Sequence, residues 1–129
     1  MARPSSRYPT ELELEILKIL WKNGPSPVRE VRDALKDFRD LAYTSVMTIL
    51  NIMVEKGYVQ RAKVGNSYAY RACLDRESTE RDMVRDLVER VFDGSAAAAM
   101  LHLIETADID DAELERLRAL IRRKEDQPS

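Results

Sequence analysis

A change of hydrophobic period at Gly57 constrains the fold of this chain more than any other feature of its sequence. From Ala42 to Gly57 the apolar residues recur at helical spacing. Beyond Gly57, apolar and polar residues alternate in two short runs on either side of Gly65-Asn66, which is typical of a β-hairpin. The sequence therefore predicts a helix that ends at a glycine and leads directly into a hairpin.

The predicted helix has one apolar face and one short polar face. The apolar face consists of Val46, Ile49, Leu50 and Met53, with Met47 and Val54 at its margin. The polar face consists of Thr44, Ser45, Thr48 and Asn51. These small side chains donate and accept hydrogen bonds, which suits the base edges and phosphates of a DNA major groove. Lys56 adds a cation beside the terminal glycine; an ordinary surface helix whose hydroxyls face water is the alternative.

Two more helices are predicted before this one. The first begins at Thr10, which forms a capping box with Glu13, and runs to Trp21, a residue expected in the core. Ser26 is expected to cap the second helix, with Pro27 in its first turn. The buried stripe of the second helix is predicted to be Val28, Val31, Leu35 and Phe38. Its charged residues, Arg29, Glu30, Arg32, Asp33 and Lys36, are interpreted as a solvated face.

Charge is divided unevenly along the chain. The formal net charge is −2, but residues 1–73 hold 12 Lys and Arg against 8 Asp and Glu, whereas residues 74–129 hold 9 against 15. Between Leu41 and Cys73 the only acidic residue is Glu55. The first part of the chain can therefore approach phosphate, while the acidic second part cannot. Arg3 and Arg7 belong to an N-terminal arm, predicted either to be a disordered tail or to enter a minor groove.

Residues 74–129 are predicted to be wholly helical, in three helices of roughly ten to sixteen residues. Each has one apolar face, and three such helices are too few to form a well-buried core in a monomer. A second copy of the chain that supplies the same surface is the expected partner. The residues predicted to form this dimer are Leu87, Val88, Val91, Met100, Leu101, Leu103, Ile104, Leu114, Leu117, Leu120 and Ile121.

The predicted fold is mostly α with a small β-hairpin. Three helices and a hairpin form the plan of a winged helix-turn-helix, with the hairpin as the wing. We predict a winged-helix DNA-binding domain with its arm at residues 1–73 and a helical dimerisation domain at residues 74–129.

Several function classes are disfavoured by the sequence. It contains no glycine-rich phosphate loop and no nucleophile with a histidine base, so we do not expect an enzyme. The single cysteine, Cys73, cannot form an internal disulfide or a thiolate metal cluster, and is expected to be a small buried residue. We predict no cofactor and no metal. No apolar run approaches the roughly 18 residues of a membrane span, and a soluble, cytoplasmic protein is expected.

Motifs along nearly the whole chain resemble a known family. They are Thr10-Glu-Leu-Glu-Leu-Glu-Ile-Leu17 with Trp21, Val28-Arg-Glu-Val31, Tyr43-Thr-Ser-Val-Met-Thr48, Val54-Glu-Lys-Gly-Tyr58 and Phe92-Asp-Gly-Ser-Ala96. This combination resembles the BlaI/MecI/CopY family of penicillinase-type repressors, which are bacterial winged-helix regulators. The resemblance implies a homodimer on an inverted-repeat operator, with the third helix in the major groove.

The resemblance also implies site residues. Thr44, Ser45 and Thr48 would read bases, Tyr43 and Lys56 would lie near phosphates, and Arg61 and Lys63 would act from the wing. With the remaining polar-face residues, the predicted DNA-binding set is Tyr43, Thr44, Ser45, Thr48, Asn51, Ile52, Lys56, Arg61 and Lys63.

Family repressors of the antibiotic-response branch are inactivated by cleavage of the C-terminal domain, after signalling through a membrane-bound sensor metalloprotease. Their scissile Asn–Phe pair aligns with His102-Leu103 here, which makes this pair the candidate cleavage site. Ile52 stands where many members carry arginine, Asn66 stands where many carry a wing-tip arginine, and the paired cysteines of the copper-responsive branch are absent. A winged-helix module that binds protein instead of DNA is the alternative function.

Overall fold

A computed structural model describes residues 8–127. The elements are α1 (Glu11–Asn23), α2 (Val28–Leu35), α3 (Tyr43–Lys56), β1 (Val59–Val64), β2 (Ser67–Ala72), α4 (Arg76–Val91), α5 (Ala96–Thr106) and α6 (Asp111–Asp126). Within the described residues, six helices and a two-stranded antiparallel hairpin confirm the predicted fold class. Most of the predicted arm, with Arg3 and Arg7, lies outside the described residues.

The contacts divide the chain into two compact units, one up to Val84 and one from Arg85. The domain limits expected from the sequence, 1–73 and 74–129, remain a prediction.

The first unit is built around one apolar core. Its buried residues come from all three N-terminal helices, both strands and the turn between α3 and β1: Ile16, Leu17, Leu20, Val28, Val31, Leu35, Val46, Leu50, Met53, Tyr58, Val59 and Tyr70. Trp21 is partly buried against this core, and its indole N–H donates to the Leu74 carbonyl at 2.9 Å. Phe38, expected in the buried stripe, is 39% exposed, because α2 ends at Leu35.

The helix ends follow local sequence signals. The Thr10 side chain caps α1 in a capping box with Glu13, and Gly57 ends α3 in the left-handed conformation at φ 82°, where a residue without Cβ costs little. In the second unit Ser95 caps α5 and Asp110 caps α6. The apolar period and the caps together therefore fix where these helices begin and end.

The predicted capping role of Ser26 is wrong. The N-cap of α2 is Pro27, and it has no side-chain cap hydrogen bond. The backbone of Ser26 instead pairs with Tyr70, with N–H to carbonyl distances of 2.9 and 2.8 Å, and its hydroxyl donates to the Gly24 carbonyl. The extended backbone at Ser26 thus adds a bridge beside β2 and ties the α1–α2 connection to the wing.

Cys73 also departs from expectation, because it is exposed and not buried. It follows β2 immediately, and its N–H donates to the Tyr58 carbonyl at 2.9 Å. The residue thus continues the pairing of the hairpin and lies outside the core.

The second unit holds the end of α4 together with α5 and α6, and it leaves much apolar surface uncovered. Ala99, at 8% exposed, is the one apolar residue of the stretch 85–127 that is buried. None of the helices within residues 8–127 combines the length and hydropathy needed to cross a membrane.

Candidate nucleic-acid interface

Helix α3 presents its polar face to solvent. Val46, Leu50 and Met53 are 0% exposed and anchor the helix on the core, while Thr44, Ser45 and Thr48 on the opposite side are exposed. Its first turn contains no acidic residue, and its N-cap makes no side-chain hydrogen bond. The positive end of the helix dipole is therefore not neutralised by the helix itself, which favours phosphate nearby.

Thr48 lies near the middle of this exposed face. Its hydroxyl donates to the carbonyl of Thr44 at 2.9 Å. The hydroxyl proton is therefore used within the helix, while the lone pairs and the methyl group remain available to a base edge. Ile52, one turn further along, is 42% exposed and adds an apolar surface that could meet a thymine methyl group.

Asn51 lies on the wing side of α3 and is half-buried. Its side-chain oxygen accepts a hydrogen bond from the hydroxyl of Tyr70 at 3.2 Å. Tyr70 is itself only 3% exposed. Asn51 therefore connects α3 to β2 through its side-chain oxygen.

Lys56 lies on the α1 side of the helix and is engaged within the domain. Its ammonium group contacts the Glu13 carboxylate at 2.8 Å, where the Glu13 side chain is 5% exposed. The same ammonium lies 5.6 Å from the centre of the Tyr58 ring. The Lys56 ammonium group, which the sequence places near DNA phosphate, is thus already paired with a carboxylate.

The same charged groups affect the pKa of Tyr58. Burial raises the pKa of its hydroxyl above the ordinary 10.0, the Glu13 carboxylate raises it further, and Lys56 opposes the rise. The three side chains of Glu13, Lys56 and Tyr58 therefore form one electrostatically connected group beneath the end of α3.

The wing carries its cations on the same side as its tyrosines. Arg61 pairs in register with Tyr70, and Lys63 pairs with Tyr68, so these four side chains lie on one face of the hairpin. The Arg61 guanidinium lies 4.9 Å from the centre of the Tyr68 ring, close enough for a cation–π contact. Arg61 and Lys63 are both exposed beyond the core, in a position suited to the DNA backbone.

A groove of about 540 Å³ lies between the start of α2, the start of α3 and the wing. Arg29 and Arg32 from α2 line it together with Tyr43, Tyr68 and Asn66, and none of its lining residues is acidic. Among residues 8–127, the one ion pair of Arg32 is an exposed 3.5 Å contact with Asp33. The groove thus continues the cationic surface from the wing to the second helix.

Sequence reasoning missed Arg29 and Arg32 as candidate site residues. Charged residues between buried positions of an amphipathic helix are usually solvated, and the pattern gave no sign that these two would face the wing. Their spacing of three residues does place them on one side of α2. That side was not recognisable as functional until the hairpin was positioned beside it.

The family model for the penicillinase repressor matches residues 9–123. The chain belongs to the penicillinase repressor family. Members of this family are transcriptional regulators that bind DNA, and they are not enzymes. Among residues 8–127, no group of three or more His, Cys, Asp or Glu side chains is arranged to hold a metal ion.

Individual relatives agree with this assignment. The transcriptional regulator BlaI of Mycobacterium tuberculosis is 34% identical over 112 residues, which cover 85% of this chain and 80% of the relative. The methicillin resistance regulatory protein MecI of Staphylococcus aureus is 19% identical over 112 residues, covering 87% of this chain and 91% of the relative.

A solved structure of a MarR family protein from Bacillus stearothermophilus resembles this penicillinase repressor family member in fold. The TM-score is 0.51 at 19% sequence identity, over 95% of this chain and 74% of the other. This likeness supports the winged-helix architecture.

The second unit of this family member exposes most of the predicted dimer residues. Eight of them are exposed: Leu87, Val91, Met100, Leu101, Leu103, Ile104, Leu120 and Ile121. The other three, Val88, Leu114 and Leu117, are partly buried. An apolar surface of this kind on one chain is typical of a protein–protein interface.

The candidate cleavage residues lie within a helix. His102 and Leu103 are both exposed in α5, and the His102 carbonyl accepts a hydrogen bond from the Thr106 hydroxyl at 2.8 Å. The His102 ring lies 5.9 Å from that of Phe92. A protease that acts on this bond would first have to unwind α5 locally.

Proposed function

We propose that this chain represses transcription as a homodimer bound to an inverted-repeat operator. Helix α3 of each subunit would enter a major groove, and the wing would follow the adjacent backbone. The observation that carries the proposal is the exposed hydroxyl face of α3, which lies beside a basic wing and an arginine-lined groove without acidic residues.

The base-reading residues in this proposal are Thr44, Ser45, Thr48 and Ile52, because they are exposed along one arc of α3. Tyr43, Arg61 and Lys63 would contact phosphates, as would Arg29 and Arg32. Asn51 would stabilise the position of the wing beside the helix, in keeping with its hydrogen bond to Tyr70. Such a division between base and backbone contacts is general in DNA recognition.

Dimerisation is supported by the apolar surface of the second unit. A two-fold dimer covers the same patch on both subunits, and a two-fold protein matches a palindromic site. Release from DNA would follow proteolysis, for which His102-Leu103 is the candidate site, or another signal linked to a membrane-bound sensor metalloprotease. Loss of the residues after the cut would remove α6 and weaken the dimer.

The test is selection of duplexes from a random-sequence pool by the full chain, followed by binding measurements over a range of salt. We expect enrichment of a sequence with two-fold symmetry. The logarithm of its affinity should fall with the logarithm of salt concentration by roughly 0.9 for each phosphate contact. A module that binds protein instead would enrich no sequence and show no such dependence, and that result would contradict the proposal.

A further inference from the structure

The buried carboxylate of Glu13 joins the first helix to the end of α3. Its Oε1 accepts a hydrogen bond from the Thr10 N–H at 2.9 Å, and its Oε2 accepts one from Lys56 Nζ at 2.8 Å. The capping box makes Glu13 part of the start of α1, while Lys56 is the last residue of α3. One side chain therefore contacts both helices through different oxygen atoms.

Lys56 lies on the same side of α3 as part of the exposed face, so its contact with Glu13 can affect the orientation of that face. Residues four and eleven positions apart lie on nearly the same side of an α-helix, so Lys56 shares its side with Ile52 and Ser45. The opposite edge of the polar face is tied to the wing through Asn51 and Tyr70. Helix α3 is thus held at both edges by polar contacts, in addition to its packing on the core.

The Lys56 ammonium is restrained on more than one side. It lies between the Glu13 carboxylate and the ring of Tyr58, and its side chain is 25% exposed. A buried ion pair generally adds little net stability, because desolvation offsets the attraction, although it can select one geometry over alternatives. This pair connects residues 43 positions apart in sequence, as required of a contact that orients one helix on another.

We propose that Glu13 is a positioning residue for DNA reading: its ion pair with Lys56 sets the angle at which α3 presents Thr44, Ser45 and Thr48 to bases. This inference rests on the proposed operator binding. In this role the pair governs discrimination between the operator and other DNA. It has little effect on nonspecific attraction to phosphate.

This role differs measurably from a phosphate contact by Lys56. A phosphate contact would contribute roughly 0.9 to the slope of log affinity against log salt, for operator and random DNA alike. A positioning role leaves that slope unchanged and lowers only the ratio of the two affinities. The two roles of the same ammonium group are therefore separable in one titration.

The experiment compares binding to a duplex selected by the wild-type chain with binding to a shuffled duplex of equal composition. The variants are Glu13→Gln, Lys56→Met, the two combined, and Lys56→Arg. Glutamine keeps an oxygen to accept from Thr10 but cannot form the ion pair. The matched control is Glu15→Gln with Lys18→Met, a 3.1 Å ion pair within α1.

We expect each single change at the Glu13–Lys56 pair to reduce discrimination about tenfold, the size of one well-made base contact. The double variant should lose no more than either single variant, since coupled residues are not additive. Lys56→Arg should retain most of the discrimination, and the control changes should leave it intact. Binding to the shuffled duplex and its salt slope should stay at the wild-type level, which also verifies that each variant is folded.

Unchanged discrimination in Glu13→Gln would overturn the positioning role while leaving the proposed function intact. If Lys56→Met lowers the slope of log affinity against log salt equally for both duplexes, the positioning role is wrong and Lys56 contacts a phosphate. If Lys56→Met fails to fold because Glu13 is left unpaired, Glu13→Gln and the double variant decide the question. A wild-type chain that selects no sequence at all would remove the proposed function and this inference together.

Discussion

The hydroxyl group of Tyr70 donates a hydrogen bond to the side-chain oxygen of Asn51 at 3.2 Å. This contact joins the second strand of the wing to the helix that carries the candidate reading residues. Tyr70 also pairs through its backbone with Ser26. A single strand residue therefore links the wing, α3 and the connection before α2.

Replacement of Tyr70 by phenylalanine removes this hydrogen bond and leaves the half-buried Asn51 oxygen without its donor. We expect the free energy of unfolding to fall by about 1 kcal/mol, measured by urea denaturation. Tyr68→Phe is the matched control, because Tyr68 lies on the same strand but is 46% exposed. Equal effects of the two substitutions would show that the Tyr70 hydroxyl has no special role.

Loss of either groove arginine should weaken binding to all DNA sequences. For Arg29→Ala and Arg32→Ala separately, we expect the slope of log affinity against log salt to decrease by about 0.9, because one phosphate contact is lost. Lys22→Ala provides the control, since Lys22 lines a different groove, between α1 and α2. Slopes that match the wild type in both arginine variants would argue against a DNA backbone in this groove.

Thr48→Ala should weaken binding to the operator and leave binding to random DNA unchanged. We expect a loss of about 1 kcal/mol or more in operator binding, the range for one base contact, measured by competition between the two duplexes. Thr48→Ser keeps the hydroxyl and should lose less. An equal loss on random DNA would mean that Thr48 does not read bases.

A charge placed on the exposed apolar surface of α5 should weaken the proposed dimer. For Leu101→Glu, which is 61% exposed in one chain, the lost burial of a leucine corresponds to a roughly 100-fold weaker dimer. Sedimentation at graded concentrations measures this change. Val64→Glu is a control of equal exposure, 61%, on the wing, and it should leave the dimer unchanged.

The raised pKa of Tyr58 predicts a stability change at alkaline pH. Because the folded state holds the phenolic proton more tightly than the unfolded chain, this stabilisation is complete below pH 10.0 and is lost as the pH rises through the folded-state pKa. Unfolding free energies of Tyr58→Phe should therefore decline less above pH 10.0 than those of the wild type. The prediction would be contradicted if the free energies of unfolding of the two proteins fell in parallel as the pH rises above 10.0.

Much of the fold was predictable from local sequence. Repeated apolar residues at helical spacing, the capping residues Thr10, Ser95 and Asp110, and the terminal Gly57 all act over a few positions. The structure confirms the helices and the hairpin that these signals predicted. The exposure of Thr44, Ser45 and Thr48 likewise follows from the burial of the opposite face of α3.

The partners of several polar residues were not predictable in the same way. The sequence predicts that Ser26 caps a helix, but Ser26 forms a bridge with Tyr70. The sequence places Lys56 near DNA phosphate, but Lys56 pairs with Glu13. These contacts join positions that are far apart in the chain, and a local pattern carries no information about which distant group will lie opposite. The cationic groove of Arg29 and Arg32 likewise requires the wing to be in place.

By itself, the sequence determined the elements, the helix ends at Thr10 and Gly57, the charge division between the two parts of the chain and the family to which it belongs. Only the tertiary structure decided which polar side chains of α3 remain available to DNA and which are used to hold the helix. The physical reason is that periodicity and capping depend on neighbours along the chain. A hydrogen bond or ion pair between elements depends instead on how their packed faces align.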